Sequence, residues 1–162
     1  MPETTPPTRQ VGGRTVPSAG TWVVDTAHSS VEFVARHLVV TKVRGRFADW
    51  NAELVIGEDP TDSRVDVTIR AASIDTGDEG RNGHLTSPDF LDVEAFPTLT
   101  FSTTSVAAGA GDTWDVVGDL TIRGVTKSVT LVVEFAGAGT DPWGNTKAGF
   151  SASTEIDREQ FG

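Results

Sequence analysis

The residues that could do chemistry in this chain are few. There is no cysteine, which removes thiolate nucleophiles, disulfides, iron–sulfur clusters and thiolate zinc sites. Asp25, His28 and Ser29 are the right residue types for a hydrolytic triad. A triad, however, needs its members to converge in space, and adjacency in sequence does not supply that. Gly149-Phe150-Ser151-Ala152-Ser153 misses a nucleophile elbow at its last position and lies in a strand pattern, not at a strand-to-helix turn. Polar residues at strand ends are the simpler reading of both. His28, His37 and His84 are the only histidines. His28 and His37 are an odd number of positions apart, so on one regular strand they face opposite ways, and no metal site is expected. Asp78-Glu79-Gly80-Arg81-Asn82-Gly83 followed by Asp89 partly mimics a calcium loop, but it has Gly80 at its third position and Asp89 where a bidentate glutamate belongs. No glycine-rich phosphate loop follows a strand, so no nucleotide cofactor is implied.

The elements that must position these residues read as strands. Short runs rich in Val and Thr alternate with turn signals, and the candidates are 21–25, 30–39, 44–56, 63–72, 98–106, 113–122, 127–136 and 147–156. Val129, Leu131, Val133 and Phe135 alternate with Thr130, Val132 and Glu134, the period of a half-buried strand. Gly109-Ala110-Gly111-Asp112 and Asp141-Pro142-Trp143-Gly144-Asn145 read as hairpin connections. Residues 76–97 break the alternation; a short helix over 78–86 is expected there, inside an irregular insertion. About eight strands with one helical insertion predict an all-β fold, an antiparallel sheet curled into a barrel. Such a barrel holds either its own side chains or one small ligand. Phe33, Phe47, Trp50, Phe90, Phe96, Phe101, Trp114, Phe135 and Phe150 are spread over nearly every strand, and pattern alone leaves a cavity lining and a filled core both open.

Charge and length narrow the field. The 162 residues allow one domain with one hydrophobic core. Thirteen basic against 23 acidic residues give −10, which argues against binding nucleic acid and against attachment to an anionic membrane by net charge alone. No stretch is long and apolar enough for a membrane span. Residues 1–20 hold four prolines and little that could be buried, and are expected to form a disordered leader ahead of a domain over 21–162. The leader does not read as a secretory signal, so a cytoplasmic location is expected, with secreted relatives as the alternative.

Seven motifs in order resemble one family. Trp22-Val23-Val24-Asp25-Thr26-Ala27-His28-Ser29 with Phe33 comes first, followed by Val43-Arg44-Gly45-Arg46-Phe47 and Ser73-Ile74-Asp75-Thr76. Arg81-Asn82-Gly83-His84-Leu85-Thr86-Ser87-Pro88-Asp89-Phe90 is next, then Phe96-Pro97 with Phe101, and Gly118 through Thr126. Ile156-Asp157-Arg158 and Phe161-Gly162 close the series, which resembles the YceI-like family over about residues 21–162. The resemblance implies an extended, lipocalin-like antiparallel barrel with a helical insertion near 78–90. It also implies binding of a long polyisoprenoid inside the barrel, common homodimers and no established enzymatic activity or cofactor. Relatives continue beyond the Phe-Gly with a final strand, so an unpaired sheet edge is expected here.

On that reading the cavity wall would be Phe33, Phe47, Trp50, Ile74, Leu85, Phe90, Phe96, Phe101, Leu120, Ile122 and Phe150. Leu85 and Phe90 are expected to anchor the helical segment at the barrel mouth. A polar or phosphorylated head group would meet donors at the rim, from His28, Arg36, His37, Arg81, His84 or Arg158. Arg123 and Lys127 read as hairpin surface, Trp143 as a loop plug over one end. The function expected is a non-enzymatic carrier of an apolar or amphipathic lipid. The alternatives are an enzyme acting on such a lipid at the mouth, and an interaction protein with a filled barrel.

Overall fold

The structure, a computed structural model, describes residues 8–25, 29–37, 41–140, 146–156 and 161. In chain order it contains β1 (Thr8–Val11), β2 (Arg14–Pro17), β3 (Gly20–Val23), β4 (Val31–His37), β5 (Thr41–Phe47), β6 (Trp50–Ile56), β7 (Arg64–Arg70) and β8 (Ile74–Asp75). The helix α1 (Glu79–Thr86) follows, and then the long strands β9 (Thr98–Ala108), β10 (Thr113–Ile122), β11 (Val125–Thr140) and β12 (Thr146–Ser153). Seven strands form one sheet in the order β12-β11-β10-β9-β7-β6-β3, and β4-β5-β8 form a second. Every pairing among the described residues is antiparallel. The result is a curled antiparallel sheet, a half-barrel, with one short α-helix among the described residues.

Alternation makes the sheet two-sided. On β11, Val129, Leu131, Val133 and Phe135 are half-buried, while Thr130, Val132 and Glu134 are exposed. The curl has local causes. The β9–β10 ladder shifts register between Val117 and Gly118, and the β11–β12 ladder between Phe135 and Gly137. Each irregularity bends its strand and increases the local twist.

Two expectations need correction. The run 44–56 is two strands in two different sheets, divided at Ala48-Asp49. There the Ala48 amide donates to the Ser73 carbonyl at 3.0 Å and the Arg70 amide donates to the Asp49 carbonyl at 2.9 Å, so the backbone turns a corner with its polar groups satisfied. The alternation changes phase at the corner, from half-buried odd positions through Phe47 to half-buried even ones from Trp50, with Ala48 and Asp49 both exposed between them; reading 44–56 as one strand passed over that break. The second correction concerns the leader, expected to be disordered through residue 20. Residues 8–17 form a hairpin, with Val11 opposite Arg14 and both Gly12 (φ 58°) and Gly13 (φ 79°) in the left-handed region that a two-residue turn requires. Arg9 donates to the carbonyls of Gly57 and Glu58, both at 2.6 Å. Arg14 donates to those of Thr113 (2.6 Å) and Gly109 (3.0 Å) and lies 5.1 Å from the centre of the Trp114 ring. Val16 is buried. The hairpin is thereby tied to the β6 end and the β9–β10 turn. The turn itself is where Gly109–Asp112 was expected to make one, closed by the Gly109 amide donating to the Thr113 carbonyl.

The core sits at one end of the curl. Ile69, Ala71 and Leu99 are buried there, with Val31, Phe47, Trp50, Val67, Leu91, Val93 and Ile122 packed around them.

Candidate ligand-binding trough

The inner face of the large sheet is built from cross-strand rows. Trp50 stands opposite Ile69, and Ile69 opposite Leu99. The next row runs Ala52, Val67, Phe101, Leu120, and a third runs Val106, Val116, Leu131. Trp114 stands opposite Val133, and Phe135 opposite Phe150. These are apolar side chains on one face of a curved sheet, yet few of them are closed off. Only nine described hydrophobic residues are buried, and none of the large ones is below 2 % exposure. A core filled by its own side chains would bury more.

The helical insertion caps the end of the trough where the core lies. Asp78 is the N-cap of α1, its carboxylate accepting from the Arg81 amide at 3.1 Å. This is the use the structure makes of the segment that partly mimics a calcium loop. The following turn is held by backbone bonds, Leu91 N–H to Leu85 carbonyl at 2.9 Å and Val93 N–H to Thr86 carbonyl at 3.1 Å. Arg123 braces it from below, donating to the Phe90 carbonyl at 3.0 Å. Arg123 is therefore more than hairpin surface.

Beside the cap, a polar cluster fixes the junction of β8 and α1. The Asn82 side-chain oxygen accepts from the Thr76 amide (2.8 Å) and hydroxyl (2.6 Å). Arg81 donates to the Thr76 hydroxyl (2.9 Å) and carbonyl (2.8 Å). Asp75 accepts from the Gly77 amide at 2.9 Å and from the Asn82 amide at 3.4 Å. These bonds, in that order, and the charge of Arg46 hold its carboxyl below the usual carboxylate range.

The expected wall residues divide by position. Phe47, Trp50 and Ile122 pack on the core cluster, and Ile74 and Phe101 are buried. Phe33 is half-buried on β4, its ring 5.7 Å from that of Phe47. Leu120 is half-buried on the inner face. Phe150 lies away from the core at 40 % exposure, stacked 5.2 Å from Phe135. Leu85, Phe90 and Phe96 are half-buried in and after α1. The insertion reaches the core through Leu91 and Val93, which the sequence reading did not single out. Leu91 and Val93 were missed because they follow Pro88 in an irregular stretch with no periodicity to read.

Among the rim candidates, the side chains of Arg81 and His84 are described. Arg81 is committed to Thr76 through two of its nitrogens. His84 is exposed, with Nε2 3.3 Å from the Asp89 carboxylate and its ring edge-on to Phe90 at 4.9 Å. His37 ends β4 opposite Thr41, and Arg36 stands opposite Lys42. His28, Trp143 and Arg158 lie outside the described residues. Among the described residues no group of three His, Asp or Glu is placed to hold a metal ion. No described helix is long and apolar enough to cross a membrane.

A curled antiparallel sheet with a half-buried apolar inner face and one short helix defines a lipocalin-like half-barrel fold. The chain belongs to the YceI-like domain family, whose family model matches residues 22–162. It is 38% identical over 146 residues to the UPF0312 protein VPA0850 of Vibrio parahaemolyticus, covering 88% of this chain and 77% of that one. The crystal structure of Burkholderia cenocepacia BcnA superposes with a TM-score of 0.77 at 28% identity, over 85% of this chain and 83% of that chain. A polyisoprenoid binding domain from Saccharophagus degradans, implicated in plant cell wall breakdown, shares the fold with a TM-score of 0.51 at 18% identity, over 75% and 76% of the two chains.

Proposed function

We propose that this protein is a non-enzymatic carrier that seats a long apolar lipid, a polyisoprenoid, along the inner face of its curled sheet. The observation that carries this reading is the inner face itself: aligned rows of aromatic and aliphatic side chains, most of them only half-buried, between the α1 end and the amino-terminal hairpin over Trp114. Membership of the YceI-like domain family supports it, as does the likeness in fold to a polyisoprenoid binding domain. A hydrocarbon chain laid in the trough would be held by burial, at about 25 cal/mol for each Å² of apolar surface removed from water. Length and cross-section would then set selectivity. The wall would be Phe33, Leu120, Phe101 and Phe150 along the trough, with Phe47, Trp50, Ile74 and Ile122 as its closed end and Leu85, Phe90 and Phe96 in the cap. His37, Arg81 and His84 would stand near the head group.

A second copy completes the reading. Val132 (46 %) and Ile156 (44 %) are exposed apolar side chains on β11 and just beyond β12, surface that a homodimer would cover. Light scattering on the purified chain tests this part.

The binding test is a titration with polyprenols of increasing length, followed by fluorescence of Trp50 and Trp114, which line the inner face. Affinity that climbs with chain length to a plateau supports a trough of defined reach. Indifference to all lengths would remove the carrier reading.

A further inference from the structure

The net charge of −10 conceals one basic surface. Lys42, Arg44 and Arg46 occupy alternate positions of β5 and are exposed, while Val43, Gly45 and Phe47 between them are half-buried. Across the ladder, Glu32 stands opposite Arg46, Val34 opposite Arg44 and Arg36 opposite Lys42. From residue 33 to residue 48 the sequence has four basic residues and no acid. Arg46 is partly offset by Asp75, 4.0 Å away. Lys42 and Arg44 make no ion pair with any described residue. Val34, opposite Arg44, is 55 % exposed. Beside it opens a hollow of about 290 Å³, bordered by Phe33, Val34, Arg44, Gly45, Arg46 and Gly77 and by the carboxylates of Glu32 and Asp75. Glu32 and Asp75 lie toward Arg46, which leaves Lys42 and Arg44 as the cations without an acidic neighbour across the ladder.

We infer that this β4–β5 face docks the protein on an anionic lipid bilayer. The geometry suits a surface better than a single ion. Alternate residues of a strand are about 7 Å apart, so the three side chains form a row instead of converging on one phosphate. Such a row meets a plane of repeated head-group charges, and an exposed valine among the cations can enter the interface. The remaining acidic surface is repelled by the same plane, which orients the molecule with β5 toward it. The physiological sense of docking rests on the carrier reading, since a polyisoprenoid must be taken from and returned to a bilayer. The docking itself can be tested without cargo.

The experiment is flotation of the full chain with vesicles of phosphatidylcholine alone or mixed with phosphatidylglycerol, at low and raised salt. The variants are Lys42→Gln with Arg44→Gln, and a charge-matched control, Arg64→Gln with Lys147→Gln, at exposed positions of β7 and β12. Thermal midpoints establish that both pairs fold. The expected result is binding to the anionic vesicles only, weakened by salt. The β5 pair should lose about 25-fold, at about fivefold for each cation removed, and the control pair less than twofold. Equal loss in both pairs, equal binding to neutral vesicles, or no vesicle binding at all would overturn the inference. No vesicle binding together with capture of an acidic protein by the same face would do so in favour of a protein partner. Competition by soluble glycerophosphoglycerol beyond its effect as salt would overturn it in favour of a single-anion site. Lipid extracted from the same preparations reports cargo separately. Selective docking without cargo leaves docking standing and removes carriage; cargo without docking does the reverse.

Discussion

The ring of Phe33 lies across Gly45. The two residues face each other in the β4–β5 ladder, and a Cβ added at Gly45 would come within 2.6 Å of Phe33 Cε1. The same device recurs where Phe101 crosses Gly118, with Cε2 2.7 Å from the Cβ position. A glycine beneath an aromatic ring lets the ring lie flat on the sheet, which keeps the trough floor low and apolar.

The two glycines should respond differently to alanine. At Gly45 only the rim of the Phe33 ring and the Thr76 methyl obstruct the new carbon, so the ring can swing away. Gly45→Ala should cost about 1 kcal/mol, near the bottom of the range for overpacking, and weaken lipid binding by moving Phe33. At Gly118 the Ser102 carbonyl also lies within 2.5 Å, and backbone cannot swing. Gly118→Ala should cost about 3 kcal/mol, at the top of that range. Urea midpoints of the two variants check the order.

The closed end of the curl should carry the stability. Leu99 is buried among Ile69 and Ala71, so Leu99→Ala should cost about 2–5 kcal/mol. Phe150→Ala, at a 40 % exposed position, should cost well under that and act mainly on binding. Chemical denaturation beside a lipid titration separates the two effects.

The amino-terminal hairpin should depend on Arg14. Arg14→Ala removes two hydrogen bonds to β9–β10 carbonyls and the contact with Trp114. A loss of about 1–3 kcal/mol is expected. Hydrogen exchange of the amides over 8–17 should accelerate more than that of β9.

Asp75 should make the β8–α1 junction sensitive to acid. Its folded pKa is depressed below the ordinary 3.8, so its contribution to stability is complete above that value and is lost as pH falls through the folded pKa. Neutral pH should therefore bring no change, and loosening of α1 should begin below about pH 4. In Asp75→Asn that acid dependence should be absent, which a pH series of amide spectra would show.

Much of the fold was legible because strand period and turn chemistry agree over β7, β9 and β10. The helix was legible from its breaks in alternation; its N-cap, Asp78, was read only as part of a partial calcium-loop pattern. The β5–β6 corner was passed over, although Phe47 and Trp50 are both half-buried at an odd spacing that one regular strand cannot accommodate. The hairpin over 8–17 was hidden by its composition: Gly12-Gly13 is a hairpin signal, but the strands around it are anchored by Arg9 and Arg14, which carry no periodicity. For the trough, residue type named the aromatic candidates, and only the register showed which of them share a row. The basic face of β5 was masked by the net charge of the whole chain, although its alternation is plain in the sequence.

The central claim is that the inner face holds a long apolar lipid. Native mass spectrometry of freshly purified protein, with identification of what organic solvent releases, tests it most directly. The account predicts a stoichiometric mass addition that solvent removes, identified as a polyprenyl compound and reduced in Gly45→Ala. A clean mass for the bare chain, combined with no uptake when polyprenols are supplied, would contradict it.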